Sequence, residues 1–417
     1  VRETIRRVFG AELDVAAVVD RILLDVRREG DEAVRRYNRE IDGVVFSGPL
    51  EVSKDELRAA YEAVEPELVE ALRFAASRIE KFHRLQLKHS MQSFEEEGLG
   101  QVVRPLRRVG IYVPGNRVVY PSTVLMTAVP ARVAGVAELV ITTPVDAEGR
   151  ASPLKLVAAD IAGVDRVFRA GGVQAVGAMA YGTESIPRVD KICGPGNIFV
   201  TAAKKQVYGE VGIDGVFGPS ETVVVADDRA DASMVVADLL AGAEHDELAT
   251  AVLITNWRPL AQEVSRLIEM EIAQIERGEI ARASLAARGA AVVVGSVEEA
   301  LALAAELAPE HLCVHLADPD FATRVGVNAG CLFLGALSVE SIGDYTAGPS
   351  HVMPTGGSAA FASPLGVNDF LKATTVVRLD ERMVDEVGPA AVAIARAEGL
   401  TAHARAVERR LHGGRAG

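Results

Sequence analysis

Between Val18 and Arg28 the apolar residues Val19, Ile22, Leu23 and Val26 return at helical spacing, and Gly30-Asp31 closes that run before a second helix begins at Glu32. Leu57 to Leu87 extends the same texture as a long, highly charged stretch with one apolar stripe, the pattern of a helix packed on a domain or on a partner subunit. From Arg104 the pattern changes to short apolar runs alternating with helical segments. Val109–Val113, Leu139–Thr143 and Arg166–Arg169 read as buried strands, with helices at Thr123–Ala134, Pro153–Ile161 and Gln174–Tyr181 between and after them. A second series follows, with strands near Thr222–Ala226, Ala251–Thr255, Ala291–Val294, Leu312–Leu316 and Cys331–Leu334. Helices at Ala232–Glu244, Pro259–Arg277 and Val297–Ala305 separate them. Continuous apolar strands alternating with helices predict parallel, doubly wound sheets, so the fold class is α/β. Past Val377 the chain turns helical again. The simplest organisation is two α/β units flanked by helical arms, with ligands expected beyond the carboxyl ends of the strands.

Length and composition narrow the functional classes. A chain of 417 residues exceeds what a single core usually serves, and 49% hydrophobic with 24% charged residues is ordinary for a globular protein. A net charge of −14 argues against a nucleic-acid-binding or polybasic membrane-binding surface, and no apolar run is long enough to span a bilayer. The opening Val1-Arg2-Glu3-Thr4 does not read as a secretory signal, and the missing initiator Met leaves a trimmed leader open. Cys193, Cys313 and Cys331 form no Cys-x-x-Cys pair and no disulfide framework; they read as small core residues in a reducing, cytoplasmic compartment.

Candidate chemistry concentrates in a few segments. The run Gly343 to Gly357 sets Asp344 and His351 seven positions apart among Gly, Pro and Ser, which reads as a loop able to fold closely around a ligand, or as a turn in which Asp344 caps a helix. His245 (Ala243-Glu244-His245), His311 (Pro309-Glu310-His311) and His403 (Thr401-Ala402-His403) likewise stand near carboxylates. Each is singly compatible with a capping or solvated histidine; imidazole with a carboxylate is also the mixed nitrogen/oxygen set a catalytic Zn²⁺ prefers, and spacing along the chain does not say whether these groups converge. An adjacent Glu-His pair offers two proton-transfer groups of different basicity. No Gly-x-Gly-x-x-Gly follows a predicted strand; Gly194-Pro195-Gly196-Asn197 comes nearest, as a phosphate-facing helix start or as a plain tight turn.

Ten ordered segments resemble the histidinol dehydrogenase family over nearly the full length. They are Val109-Gly-Ile-Tyr-Val-Pro-Gly115, Ser122-Thr-Val-Leu-Met126, Ala170-Gly-Gly-Val-Gln174, Gly194-Pro-Gly-Asn197, Gly218-Pro-Ser-Glu221, Ala243-Glu-His245, Ala308-Pro-Glu-His-Leu312, Gly343-Asp-Tyr345, His351-Val-Met-Pro-Thr-Gly-Gly357 and Leu400-Thr-Ala-His403. The resemblance implies an NAD-dependent, zinc-requiring, four-electron oxidation of L-histidinol through the aldehyde to L-histidine, the last steps of histidine biosynthesis. It implies zinc, one per subunit, on His245, Asp344 and on His403 from the other subunit of a homodimer. Glu310 and His311 are implied as catalytic, His311 taking the hydroxyl proton and Glu310 activating water. Ser220, His351 and Glu398 are implied to hold substrate, and Tyr112, Gln174 and Asn197 to contact NAD. The fold implied is two incomplete Rossmann-like domains: a helical arm over 1–103 packing on the second α/β domain, an NAD-side domain over 104–218, a zinc-side domain over 219–376, and a C-terminal arm over 377–417 reaching the partner.

One position departs from the family. Its fourth protein ligand to zinc is a glutamine three residues before the histidine of Ala-Glu-His, and here that residue is Gly242, which has no donor. A water, Glu244, Asp246 or the substrate would then complete the shell, or the pocket accepts another polar alcohol such as dihydroxypropanesulfonate. A zinc hydrolase using Glu310 as its base, and a non-catalytic scaffold, are the readings from other classes.

Overall fold

The computed structural model describes residues 2–115 and 119–411, which fall into two compact units. The larger comprises 1–89 and 105–370; the smaller joins 90–104 to 371–417.

The larger unit holds two five-stranded sheets in which every pairing is parallel. The first is built from β1 (Arg108–Tyr112), β2 (Glu138–Thr143), β3 (Arg166–Arg169), β4 (Lys191–Cys193) and β5 (Gly212–Ile213), in the order β3-β2-β1-β4-β5. The second is built from β6 (Glu221–Ala226), β7 (Thr250–Thr255), β8 (Ala290–Val293), β9 (His311–His315) and β10 (Cys331–Leu334), in the order β8-β7-β6-β9-β10. The same strand order thus occurs twice, with its reversal beside β1 and beside β6. Central strands are buried on both faces: all five residues of β9, and five of six in each of β2, β6 and β7. Two-sided burial is why these runs are continuously apolar instead of alternating.

The N-terminal helices form as their sequence dictates. Asp14 caps the helix Val15–Glu29 by accepting from the Ala17 N–H at 2.8 Å, and Val18, Val19, Ile22, Leu23 and Val26 fall on its buried face. Burying each is worth about 1.5–3 kcal/mol. That face shares a core with Tyr112, Val140, Phe168 and Val176, so this part of the arm packs on the first α/β sheet. The expectation that the arm covers the second is corrected accordingly, because its apolar stripe matches the helices Gly172–Tyr181 and Ile198–Val207. The helix Pro66–Lys88 does reach the second half: Arg78 donates to the carbonyls of Thr346 and Ala347, and Gln86 accepts from the Val367 N–H.

In the smaller unit Phe94–Glu96 pairs antiparallel with Leu99–Pro105, which lies next to Leu371–Val377. Helices Glu381–Ala397 and Thr401–Glu408 follow. Among the described residues no helix is long and apolar enough to cross a membrane.

Candidate active site

The second sheet brings a set of acids and histidines together at the amino ends of its strands. His311 opens β9 and Glu310 precedes it; Thr222 is the second residue of β6. Asp344 comes from one wide π-helical turn over Gly343–Ala347 that continues the short helix Glu340–Ile342, so the beginning of the expected loop is helical. Wide turns of this kind recur at functional sites. His245 lies just past the end of the helix Ala232–Ala243, whose start is capped by Asp231.

Three carboxylates surround the His311 ring. Its Nδ1 lies 3.6 Å from Glu340 Oε1 and 3.9 Å from Glu310 Oε2, and its Nε2 lies 3.5 Å from Asp344 Oδ1. Glu310, His311, Glu340 and Asp344 are all buried. Burial alone would lower the His311 pKa, but Glu340, Glu310 and Asp344 outweigh it and raise it to about 10. Burial pushes the carboxyl groups of Glu310 and Glu340 up to about 8 and about 7. For Asp344 burial acts upward, yet the His311 ring 3.5 Å away leaves it below the ordinary value. His245 and His351 are both held below the ordinary histidine value, chiefly by desolvation where surrounding protein displaces water, although His245 is exposed and His351 only partly buried. His351 Nδ1 lies 3.0 Å from the Asp344 carbonyl and its Nε2 3.4 Å from Thr123 Oγ1, which ties the Gly343–Gly357 segment to the helix Pro121–Ala134. Ser220 lies one residue before β6, where its carbonyl accepts from the Thr250 N–H. A cavity of about 400 Å³ opens beside His351, lined by Phe333, Val339, Ile342 and Met353.

The donor set calls for a cation. One nitrogen of His245 and one carboxylate oxygen each from Glu340 and Asp344 lie within 4.8 Å of one another. Glu340 Oε1, Asp344 Oδ1 and both His311 ring nitrogens are buried without a hydrogen-bond partner. Buried polar atoms are normally paired, so so many orphans in one place indicate a missing charge or ligand. An excess of carboxylates out of water is costly until a cation balances it.

The expected NAD contacts gather elsewhere, beyond the carboxyl ends of the first sheet. Tyr112 ends β1 beside the β4 end, which is where the strand order reverses. Its hydroxyl accepts from the Gly172 N–H at 3.2 Å, and burial raises its pKa to about 12. Gln174 is buried, its amide donating to Asn38 Oδ1 and Asp42 Oδ2, so it braces the N-terminal arm. Asn197 caps the helix Ile198–Val207 by accepting from Phe199 and Val200 N–H. Gly194 needs to be glycine: its φ is +109°, and a Cβ would sit 2.2 Å from the Tyr112 carbonyl. Below it Lys204 and Asp214 form a fully buried ion pair, and Asp214 also accepts from the Gly194 N–H at 2.6 Å.

Glu398 and His403 belong to the smaller unit, where both are exposed. Sequence reasoning missed Glu340, Thr222 and Thr123. Glu340 stands four residues before Asp344, one helical turn, and that spacing was the available signal.

A histidinol dehydrogenase family profile matches residues 6–411. Histidinol dehydrogenase of Moorella thermoacetica is 52% identical over 400 residues, covering 95% of this chain and 94% of its own. That of Dehalococcoides mccartyi is 48% identical over 400 residues, covering 96% and 91%. The crystal structure of histidinol dehydrogenase from Elizabethkingia anophelis superposes with a TM-score of 0.90 at 37% identity, covering 96% of this chain and 93% of that one.

Proposed function

Since the chain belongs to the histidinol dehydrogenase family, a family of oxidoreductases, we propose that it oxidises L-histidinol to L-histidine at the Glu310–His311 site, with zinc and NAD. The observation that carries this reading is the burial of Glu310 and His311 against the His245–Glu340–Asp344 donor cluster. Membership in an oxidoreductase family takes the place of the hydrolase reading that the sequence left open.

His245 and Asp344 would hold the zinc, and when bound it would orient the amino alcohol and balance the local carboxylate charge. His403 of a second copy would complete the shell across a homodimer. Bound NAD would accept one hydride in each of two oxidations. The chain's own residues carry the proton transfers. His311 takes the proton of the carbinol hydroxyl as the first hydride leaves carbon, giving the aldehyde; this needs the neutral ring, which a cation balancing Glu340 and Asp344 would favour by bringing its raised pKa down. Glu310, whose pKa burial lifts to about 8, takes in its ionised form a proton from the water that adds to the aldehyde. Loss of the second hydride from that hydrate yields the carboxylate, so one water supplies the added oxygen and two NADH form per histidine. Ser220, His351 and Glu398 position the substrate in this scheme, and Tyr112, Gln174 and Asn197 serve the cofactor. Enclosure protects the aldehyde between the two steps.

Gly242 favours one alternative, a related enzyme acting on another polar alcohol, because the protein zinc ligands are one fewer than the family's. The deciding experiment is NADH formation by zinc-loaded protein with L-histidinol, with histidine quantified. Two NADH per histidine support the proposal; no turnover in protein that binds both zinc and NAD transfers it to another alcohol.

A further inference from the structure

Where the resemblance calls for a glutamine, the helix Ala232–Ala243 carries Gly242, and the space a side chain would need is already occupied. A Cβ at Gly242 would stand 2.2 Å from Thr222 Oγ1 and 2.7 Å from Thr222 Cβ. Thr222 is fully buried in β6, and its hydroxyl donates to Glu340 Oε2 at 2.8 Å. Glu340 is only 1% exposed, and its other oxygen, Oε1, has no hydrogen-bond partner. Glu340 is also a member of the three-residue group, with His245 and Asp344, whose donor atoms lie within 4.8 Å of one another. In a tetrahedral zinc shell with bonds of about 2.0–2.1 Å, neighbouring ligand atoms are about 3.4 Å apart. The three donors therefore need only a side-chain adjustment to close on one ion.

We propose that Glu340 takes the coordination position that Gly242 cannot supply, so that this chain's own ligands are His245, Asp344 and Glu340, with Thr222 positioning Glu340. This rests on the zinc reading above and deepens it. The exchange is chemically specific. A neutral amide ligand on the helix Ala232–Ala243 is replaced by a carboxylate from the turn that also bears Asp344. Two carboxylates then match the charge of a divalent zinc, and the unpartnered Oε1 gains a partner. Thr222 is a positioning residue: with Oε2 fixed by the hydroxyl, Oε1 is left without a hydrogen-bond partner and free to take a cation.

The test is zinc affinity of the full chain, measured by competition with a chromogenic chelator, together with the visible absorption of the Co²⁺-loaded protein. Wild type is compared with Glu340→Gln, Asp344→Asn and Thr222→Val. Loss of an outer hydrogen bond to a ligand typically weakens metal binding about 10–100-fold. Glu340→Gln is therefore expected to weaken zinc binding by about 100-fold or more and to change the Co²⁺ spectrum, and Thr222→Val by about 10-fold. Asp344→Asn separates the two readings. If it abolishes tight binding while Glu340→Gln binds zinc as wild type does, Glu340 serves only His311 and the inference is overturned. If neither substitution alters affinity, the zinc reading falls and this one with it. Should Glu340→Gln fail to fold by circular dichroism, Thr222→Val decides, and unchanged affinity there overturns the proposal.

Discussion

Replacing Gly242 with the glutamine of the family should destabilise this chain. The new Cβ meets Thr222 Oγ1 at 2.2 Å and Thr222 Cβ at 2.7 Å, and Thr222 is part of a central strand, so the strand or the helix Ala232–Ala243 must shift. Overpacking of a buried site costs about 1–3 kcal/mol. Displacing the Thr222 hydroxyl breaks its hydrogen bond to the buried Glu340 carboxyl, worth about 1.5–3 kcal/mol when charged. Helix propensity returns about 0.5–1 kcal/mol, since glycine in a helix interior is unfavourable. The net is a loss of about 2–5 kcal/mol. With an unfolding entropy of about 2.1 cal/mol/K per residue, a unit of this size loses about 1.4 °C of melting temperature per kcal/mol, so the drop should be about 3–7 °C. Calorimetry of Gly242→Gln, Thr222→Gly and the double variant forms the cycle. The double variant should fall well short of the sum of the two losses, because Thr222→Gly removes both clashing atoms. An unchanged melting temperature for Gly242→Gln, or strict additivity in the cycle, refutes the packing explanation.

Other outcomes follow from the same geometry. Asp214→Asn leaves Lys204 buried and unpaired, and breaking such a pair costs about 3–5 kcal/mol; thermal unfolding reads the loss, and NAD affinity should weaken as the Gly194 turn loosens. Lys155, buried with its ammonium on the Gly115 carbonyl and Thr143 Oγ1, has its pKa lowered to about 8 by burial. The folded state prefers the neutral amine, so its contribution is fully present above the unfolded pKa near 10.5 and is lost as pH falls through about 8. That amounts to about 3 kcal/mol, and denaturant midpoints of Lys155→Met should lack this rise between pH 8 and 10.5. Glu310→Gln should still make the first NADH and release an aldehyde that a hydrazine trap captures, whereas a normal two-to-one yield of NADH to histidine would remove Glu310 from the water step. Mixing inactive His403→Ala with inactive His311→Ala subunits should restore partial activity; none after verified exchange speaks against a site shared between copies.

The central strands were legible because burial on both faces forces continuous apolar runs such as Val223–Val225 and Leu312–Val314. The strands Lys191–Cys193 and Gly212–Ile213 were not, being too short for any period to register. The antiparallel sheet escaped because Leu371–Val377 is largely exposed and carries no buried alternation. At the site, individual histidines and acids could be nominated from their neighbours. That His311, Glu340 and Asp344 converge is a property of how β9 and the turn after β10 are brought together, and no spacing between distant residues encodes it. Family resemblance nominated candidate ligands, pointing at Gly242 as a gap and giving no sign of Glu340. On the first sheet the residues expected to meet NAD lie beyond the carboxyl ends of the strands, where doubly wound sheets usually take ligands, whereas on the second the acids and histidines lie at the amino ends.

The smaller unit is assembled from chain segments made at very different times. Arg378 reaches Glu95 across 283 positions of sequence, and Leu371–Val377 lies beside a strand that leaves the ribosome long before it. During synthesis Phe94–Pro105 must wait as an open hairpin edge while both parallel sheets are completed, an exposure that invites pairing with other nascent chains. The segment that closes this edge is followed by the helix Glu381–Ala397, with Glu398 just past its end, and by the helix Thr401–Glu408 that carries His403. Closing that edge is therefore tied in the chain to the placing of Glu398 and His403, which lie exposed in the same small unit.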